Sequence, residues 1–331
     1  MTSPVATGPS SGLIDLTGSF RLWPAPELNV WRGAMARAVR DVDPTLRPQL
    51  GGDPFLREQL AAELSVDMDQ VAITSGVRAA APILCRWSRR VVLERPTFLG
   101  VQRMLEMNNI PVTTTPWARF RDFTPDRHIT FWVTGPCRNP DGDTPDERLL
   151  DTLNSFRSAG AQVVCNTSYR WFAPPQPMPE GFVTVGSLHK LAGPGSGLGW
   201  VVGHTAHAEE TLRHLSIIAP PLHWQRAWGY FLKVGGLGLL TRRLRDIASL
   251  RTLIGDALGL PEGPRHGPNM LLPVRMREEQ AVATLARRGV RVSPGSAFAA
   301  SRDSIRISLG SLERSRAEFV TEALACVVDL K

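Results

Sequence analysis

The chain has 331 residues, 43% of them hydrophobic, which is enough for a large folded domain with a smaller one beside it. Its formal net charge of +7 is compatible with an anionic ligand, but the arginines are spread along the chain without the motifs or basic stripes of nucleic-acid-binding proteins. No apolar run approaches the roughly 20 residues that span a bilayer, so no membrane association is expected.

The first residues, MTSPVATGPSSG, lack both the basic start and the apolar centre of a secretory signal. We expect residues 1–15 to be a disordered lead-in. Cys85, Cys137, Cys165 and Cys326 are scattered without metal-ligand spacing. This pattern predicts reduced thiols, no metal site and a cytoplasmic protein.

Near-continuous apolar runs predict strands that are buried on both faces, at 70–74, 90–94, 128–134, 161–166, 181–187 and 197–203. Helical segments separate them, at 77–87, 98–108 and 146–160. In the last segment, Asp146 or Thr144 can cap the start and Gly160 can end the helix. The alternation predicts an α/β fold, a doubly wound and mainly parallel sheet over residues 46–249.

The pattern changes after this region. A helical stretch leads into MLLPVRM (270–276), a helix at 278–289, VRVSPGSAF (290–298), SIRISLG (304–310) and a terminal helix. The order is that of a small α+β domain, which we predict to comprise residues 16–45 and 250–331.

The segment GSLHKLAGPGSGLGW (186–200) contains Lys190 within a glycine-rich, otherwise nearly uncharged stretch. A surface lysine needs no such setting. A lysine that meets a ligand closely, with backbone packed around that ligand, does need it.

Four further stretches contain polar groups at positions suited to a ligand. ITSGVRAA (73–80) places Ser-Gly between a strand and a helix, where a helix start can bind a phosphate, although such turns also occur as simple punctuation. NPDG (139–142) follows a strand and could be an ordinary turn, while NTSY (166–169) follows a strand where open sheets bind ligands. Arg306 lies inside an apolar strand, so a carboxylate partner is expected.

Together and in this order, these stretches resemble the fold-type I pyridoxal-phosphate enzymes of the class I/II aminotransferase superfamily, from about residue 16 to the end. The segment 186–200 is similar to the family pattern S-x-x-K-x-x-x-P-G-x-R-x-G-[WY]. The resemblance implies a pyridoxal 5'-phosphate cofactor, with Lys190 as the lysine that forms an imine (the internal aldimine) with it. It also implies that Ser187 binds the phosphate, around which the glycines let the backbone wrap.

The same resemblance implies roles for other residues. Ser75, Gly76 and Val77 match the first phosphate-binding turn. Phe98 stands where an aromatic ring stacks on the pyridine, although it could instead be a core aromatic. Asn139 and Tyr169 match the residues that reach the phenolic oxygen of the cofactor. Arg306 matches the arginine that binds the substrate carboxylate, and Gly18 is expected near that carboxylate.

The family pattern is broken at two positions. Asn166 replaces the aspartate that keeps the pyridine nitrogen protonated, so the ring should be a poorer electron sink. Gly197 replaces an arginine that binds the phosphate. RPQLGGDPFLR (47–57) resembles a segment in which a tyrosine reaches the partner subunit's phosphate, and Arg47 stands at that tyrosine. We hypothesise that Arg47 crosses a dimer interface and replaces the lost charge, with Arg78 and His189 as further candidates.

The leading hypothesis is a cytoplasmic biosynthetic enzyme, a homodimer with shared active sites, that acts at Cα of an amino acid as an aminotransferase. After the substrate displaces it, Lys190 would serve as the base at Cα. A lyase, cyclase or replacement enzyme of specialised metabolism is the alternative, followed by a non-catalytic ligand-binding descendant. Nucleotide chemistry is not indicated, because neither G-x-G-x-x-G after a first strand nor a P-loop occurs.

Overall fold

The structure is a computed structural model that describes residues 12–18, 20–174, 179–203, 207–242, 244–261, 263 and 265–329. Most of the predicted disordered lead-in, residues 1–11, lies outside the described residues. The last part of that prediction is wrong, because residues 14–15 form a strand.

The strands, in chain order, are β1 (Ile14–Asp15), β2 (Val71–Thr74), β3 (Arg90–Glu94), β4 (Val112–Thr115), β5 (Ile129–Thr134), β6 (Gln162–Asn166), β7 (Val183–Ser187), β8 (Gly199–Val202), β9 (Asn269–Pro273), β10 (Val290–Arg291), β11 (Ser293–Pro294) and β12 (Ser304–Ser308). The helices are α1 (Ala25–Asp41), α2 (Pro54–Leu64), α3 (Val77–Leu84), α4 (Leu99–Met107), α5 (Glu147–Ser158), α6 (His189–Ala192), α7 (Ala208–Ile217), α8 (Leu222–Lys233), α9 (Gly236–Thr241), α10 (Leu244–Ala257), α11 (Glu278–Arg287) and α12 (Ala317–Ala325).

Seven of the strands in the described chain form one sheet, in the order β2-β8-β7-β6-β5-β3-β4. Strand β8 runs opposite to the other six strands of this sheet, which are parallel to one another. The predicted α/β class with a mainly parallel sheet is therefore confirmed. The edge strand β4 was not predicted, because three of its four residues are half-exposed and its sequence, VTTT, is not an apolar run.

Both faces of the sheet are buried, as the apolar strands predict. Leu93 and Val164 point to one face, where they pack with α3 and α4. Val92, Val133 and Cys165 point to the other face, where they pack with α5. Successive residues of a strand alternate between the two faces of a sheet. Val92 of β3 and Val164 of β6 lie on opposite faces, so the even-numbered residues of these two strands face opposite sides.

A third layer packs beside the sheet around α8. Trp228 and Phe231 are buried there with Leu56 of α2, and Ala34 of α1 joins the same cluster. This packing separates α1 from the small unit in which the sequence analysis placed it.

The small unit has its own core. Strands β11, β12 and β9 form an antiparallel sheet, and β1 pairs with β10. Leu16 of the N-terminal arm packs into this core with Ile247 and Leu250 of α10. We therefore propose that the small unit comprises residues 12–18 and the chain from α10 onward, in place of 16–45 and 250–331. None of the described helices is both long and apolar enough to cross a membrane.

Candidate active site

One edge of the large sheet collects most of the predicted site residues. Strands β2, β7, β6, β5 and β3 all run in the same direction, so their carboxyl ends meet at this edge. Ligands of open α/β sheets bind at this kind of edge. The residues that follow these strands, or end them, are Ser75, Gly76, Val77, Phe98, Asn139, Asn166, Tyr169, Ser187 and Lys190.

A cavity lies between this edge and the small unit. The predicted residues that line it are Gly18, Phe98, Asn139, Tyr169, Lys190 and Arg306. The remaining lining residues are a mixture of apolar and neutral polar groups, and no aspartate or glutamate of the described chain lines the cavity. Two cationic side chains therefore share a cavity that offers them no carboxylate.

Lys190 lies on the short helix α6 and reaches into the cavity between two aromatic rings. Its Nζ is 5.8 Å from the ring centroid of Phe98 and 5.4 Å from that of Tyr169. Within the described chain, no acidic side chain forms a salt bridge with this ammonium group. The amine thus lies between two aromatic rings without a carboxylate partner, and it faces the cavity, where a ligand can reach it.

Asn139 is buried at the cavity wall, and its Oδ1 has no hydrogen-bond partner among the described residues. The preceding residue, Arg138, anchors the loop: it forms ion pairs with Asp141 and Asp143 and stacks 4.0 Å above the ring of Trp117. A buried amide in a fixed loop with an unsatisfied oxygen indicates a polar ligand.

The hydroxyl of Tyr169 accepts a hydrogen bond of 3.0 Å from Nδ2 of Asn269. The phenolic proton remains available to an acceptor in the cavity. Sequence reasoning missed Asn269, although a polar residue at the start of a buried strand is the same signal that identified Arg306.

Arg306 lies in β12 with only 5% of its surface exposed. Its Nε and Nη1 have no partner in the described part of the chain, and its guanidinium lies 4.5 Å from the ring centroid of Phe298. Burial lowers the pKa of this guanidinium. Gly18, with a φ of +111°, approaches so closely that a Cβ there would lie 3.5 Å from Nη1. A buried, unpaired guanidinium requires an anion, which supports the predicted carboxylate site.

The predicted phosphate-binding turn meets α6 at one end of the site. Gly76, with a φ of +123°, precedes α3, and the ring of His189 lies against it, with Cε1 3.1 Å from where a Cβ would stand. The Nε2 of His189 is buried and unpartnered within the described residues. Burial, and then the charges of Lys190 and Arg78, lower the pKa of this imidazole.

The serines at this end are partly engaged already. The hydroxyl of Ser75 donates to the carbonyl of Ile218, and the hydroxyl of Ser187 accepts a 3.0 Å hydrogen bond from the N–H of His189. The proton of the Ser187 hydroxyl is therefore free to be donated to an anion.

Two glycines of the segment 186–200 have a packing role rather than a ligand-binding one. A Cβ on Gly186 would lie 2.5 Å from the indole of Trp200, and one on Gly199 would lie 2.5 Å from the Cα of Gly76. The expectation that these glycines wrap a phosphate is therefore too broad, since close packing of ring and backbone explains these two.

Gly197, at the position of the family arginine, has a φ of +53° and lies in a turn held by two indoles. Trp224 and Trp228 both donate to the carbonyl of Ser196, at 2.8 Å and 3.0 Å. The turn that lacks the arginine is thus fixed by neutral hydrogen bonds.

Arg47 is exposed on the connection between α1 and α2 and does not line the cavity. Asn166, Ser187 and the turn 75–77 also lie outside the cavity lining. Asn166 is three residues before Tyr169 and Ser187 is three residues before Lys190, and both of these later residues line the cavity. Gly76 of the turn contacts His189, the residue next to Lys190. The described chain contains no group of three metal-ligating side chains.

The family model for aminotransferases of class I and II matches residues 24–324. The chain belongs to this family. The activity is accordingly that of a pyridoxal-phosphate-dependent transferase, and the predicted resemblance is confirmed. A search of curated protein sequences finds no significant match to this aminotransferase-family chain.

Several solved structures of aminotransferases share this fold. An aminotransferase from Mycobacterium tuberculosis has 20% sequence identity and a TM-score of 0.81, covering 95% of this chain and 91% of that one. A double mutant of Thermus thermophilus aspartate aminotransferase has 19% identity and a TM-score of 0.80, covering 98% and 100%. The α-aminoadipate aminotransferase LysN of Thermus thermophilus, complexed with N-(5'-phosphopyridoxyl)-L-leucine, has 20% identity and a TM-score of 0.80, covering 96% and 92%.

The cavity of this aminotransferase-family chain fits the family's cofactor. A lysine amine stands between two aromatic rings, an amide with an unsatisfied oxygen (Asn139) lies in the wall, and the unpartnered Nε2 of His189 lies against the turn that precedes α3. These are the groups that an aldehyde, a phenolic oxygen and a phosphate require.

Proposed function

We propose that the chain is an aminotransferase that acts at Cα of an amino acid, with Lys190 as the residue that holds pyridoxal phosphate covalently. The observation that carries this proposal is the shared cavity of Lys190 and Arg306, in which neither cation meets a carboxylate of the described chain. An amine that attaches the cofactor and a guanidinium that binds the substrate carboxylate explain both features.

When bound, the cofactor withdraws electrons from the Cα of the amino acid attached to it. Arg306 would bind the α-carboxylate through two parallel hydrogen bonds and so fix the orientation of Cα–H. Lys190, once displaced by the substrate, would be the base that takes up the Cα proton and then the acid that donates it again. Asn139 and Tyr169 would bind the phenolic oxygen, and Phe98 would cover the ring.

The phosphate would be bound where α3 begins, by Ser187 and by the amides of the turn 75–77. His189 is the best placed of the three candidates to contact the phosphate, because its unpartnered Nε2 already lies against Gly76. It would offer a hydrogen bond rather than the lost charge, since burial and the nearby cations lower the pKa of its imidazole. Arg47 remains a candidate only through a partner subunit. The variants His189→Ala and Arg47→Ala test these two candidates separately. If the replaced residue binds the phosphate, the variant protein should lose affinity for pyridoxal phosphate but not for pyridoxal, which lacks the phosphate.

The walls of the cavity favour an amino acid with an apolar side chain. Phe20, Phe172, Leu244 and Ile247 line the space shared with Arg306. Among the described lining residues, no second guanidinium is available for a side-chain carboxylate. The expected order of kcat/KM is leucine or phenylalanine above aspartate, and a preference for aspartate would contradict this assignment.

A homodimer with shared sites is part of the proposal. Leu46, Leu50 and Ile217 are exposed by 58%, 49% and 78%. The N–H of Gly51 donates to the Ser216 hydroxyl, which brings the segment of Arg47 beside the end of α7. An apolar surface of this kind is typical of a subunit contact. A cytoplasmic location and a biosynthetic role complete the proposal.

The alternative activities use the same residues. A lyase, cyclase or replacement enzyme would also need Lys190 and Arg306, and is distinguished by product analysis: transamination yields a keto acid and transfers the amine to a second keto acid. A non-catalytic descendant would bind the cofactor or another ligand without turnover.

The test is a comparison of the protein with Lys190→Ala and with Lys233→Ala, each incubated with pyridoxal phosphate and then reduced with borohydride. The chain has only three lysines, at 190, 233 and 331, so peptide mass spectrometry can assign the modified one without ambiguity. We expect an absorption band near the visible edge that borohydride abolishes, with the modification on Lys190 and its loss only in Lys190→Ala. Modification of another lysine, or none, would refute the proposal.

A further inference from the structure

The loop 138–143, which follows β5, is packed against the backbone of the small unit. Within it, Asp143 forms an antiparallel backbone bridge with Arg265. The N–H of His266 donates to the carbonyl of Gly142 at 2.9 Å. Gly142 has a φ of +80°, and a Cβ at this position would overlap the carbonyl oxygen of His266. The glycine of NPDG therefore allows an approach of the two backbones that a side chain would prevent.

Arg251 of α10 ties this loop to the first residue of β9. Its Nη2 donates to the backbone carbonyl of Asp141 at 3.1 Å. Its Nη1 donates to the carbonyl of Gly267 at 3.2 Å and to that of Asn269. Within the described chain this guanidinium forms no salt bridge. Its donors are instead used on neutral carbonyls of two separate segments, which suits the planar fork of arginine.

Both segments lead to a side chain that would bind the phenolic oxygen of the cofactor. Asp141 is two residues after Asn139, whose buried Oδ1 has no partner among the described residues. Asn269, whose carbonyl Arg251 binds, donates from its Nδ2 to the hydroxyl of Tyr169 at 3.0 Å. Asn139, Tyr169 and Asn269 line the cavity, whereas Arg251 does not. Any influence of Arg251 on a ligand must therefore pass through these neighbours.

We infer that Arg251 is a positioning residue for the cofactor, because one guanidinium holds both the loop of Asn139 and the strand start at Asn269. This inference rests on the proposed function. A hydrogen bond weakens steeply when its donor and acceptor leave their alignment. If the loop and β9 could move apart, Asn139 and Tyr169 would not both stay within reach of a single oxygen atom.

The experiment compares pyridoxal phosphate with its deoxy analogue, which lacks only the phenolic hydroxyl. The dissociation constant of each compound is measured by absorption titration for the wild type and for Arg251→Lys. The lysine keeps the charge, but one ammonium group cannot replace a fork that bonds three carbonyls. We expect the dissociation constant of pyridoxal phosphate to rise roughly tenfold, about the worth of one hydrogen bond, and that of the analogue to stay unchanged.

Arg265→Ala is the matched control, because it removes another arginine from the same junction. Arg265 is exposed, and its partner Asp143 keeps an ion pair with Arg138 when Arg265 is replaced. An exposed ion pair of this kind contributes little, so neither dissociation constant should change.

Asn269→Ala is the second test and decides the matter if Arg251→Lys does not fold. It keeps the backbone carbonyl that Arg251 binds and removes the donor to Tyr169. We expect weaker binding of pyridoxal phosphate and unchanged binding of the analogue.

The outcomes separate this inference from the proposed function. An equal loss of affinity for both compounds would mean that Arg251 supports the structure only, which overturns the inference. An unchanged dissociation constant for pyridoxal phosphate also overturns it. Both results leave the proposed function intact. Failure of the wild-type protein to take up the cofactor on Lys190 overturns the proposed function, and the inference with it.

Discussion

Glu94 should make the stability of the protein depend on pH, and Glu94→Gln should remove that dependence. The carboxyl lies fully buried at the end of β3, where it accepts hydrogen bonds from Nε1 of Trp117 at 2.7 Å and from the N–H of Thr134 at 3.0 Å. Burial raises its pKa from 4.5 to about 7, against the opposing influence of Arg138 and of these hydrogen bonds.

The size of the effect follows from linkage. Between pH 4.5 and about 7 the folded protein holds a proton on Glu94 that the unfolded chain has released. The free energy of unfolding therefore falls as pH rises through this window and is constant above it. A pKa difference of about 2.5 at about 1.4 kcal/mol for each pH unit gives a total of about 3 kcal/mol, of which about 2 kcal/mol is lost between pH 5.5 and 8.

The assay is urea unfolding at pH 5.5 and pH 8 of the wild type, of Glu94→Gln and of Glu180→Gln, an exposed control. The glutamine can keep both hydrogen bonds through its amide oxygen but cannot titrate. We expect the decrease in unfolding free energy between the two pH values to be smaller by about 2 kcal/mol in Glu94→Gln and unchanged in the control. An equal decrease in all three proteins would refute the reasoning.

Asp53→Asn should lower the free energy of unfolding by about 3 kcal/mol. The reason is that Asp53 is fully buried and its two carboxylate oxygens accept hydrogen bonds from Arg226 at 2.7 Å and 2.9 Å. An unchanged midpoint of urea unfolding would contradict this. Gly186→Ala should cost about 1–3 kcal/mol through its clash with Trp200, and a shift in tryptophan emission should accompany the loss. Arg306→Lys should raise KM for the amino acid about tenfold or more while the cofactor remains attached, because lysine cannot form the paired hydrogen bonds; an unaltered KM would argue against carboxylate binding there.

Features encoded locally were the ones that sequence reasoning found. The run RVVLE coincides with β3, and the side chain of Asp146 caps α5 by accepting from the N–H of Leu149. The lysine in a glycine-rich segment and the arginine in an apolar strand were both conspicuous against their neighbours, and both line the cavity.

Features that depend on distant packing were missed. Asn269 contacts Tyr169 only because β9 pairs with β12 and the small unit then faces the large sheet, 100 residues away in sequence. The packing of α1 was also missed, because its partner α8 lies nearly 200 residues later and no local pattern records that contact.

The turn at Gly197 limits how easily the family's arginine could be introduced at that position. A return to the family's arginine by a single substitution would place an L-residue at a φ of +53°, which costs about 1–2 kcal/mol. The new side chain would also start 3.6 Å from Nε1 of Trp224, which is already bonded to the neighbouring carbonyl. An arginine at this turn would therefore carry a conformational cost that glycine does not, and its side chain would have to leave the turn beside an indole that is already hydrogen-bonded.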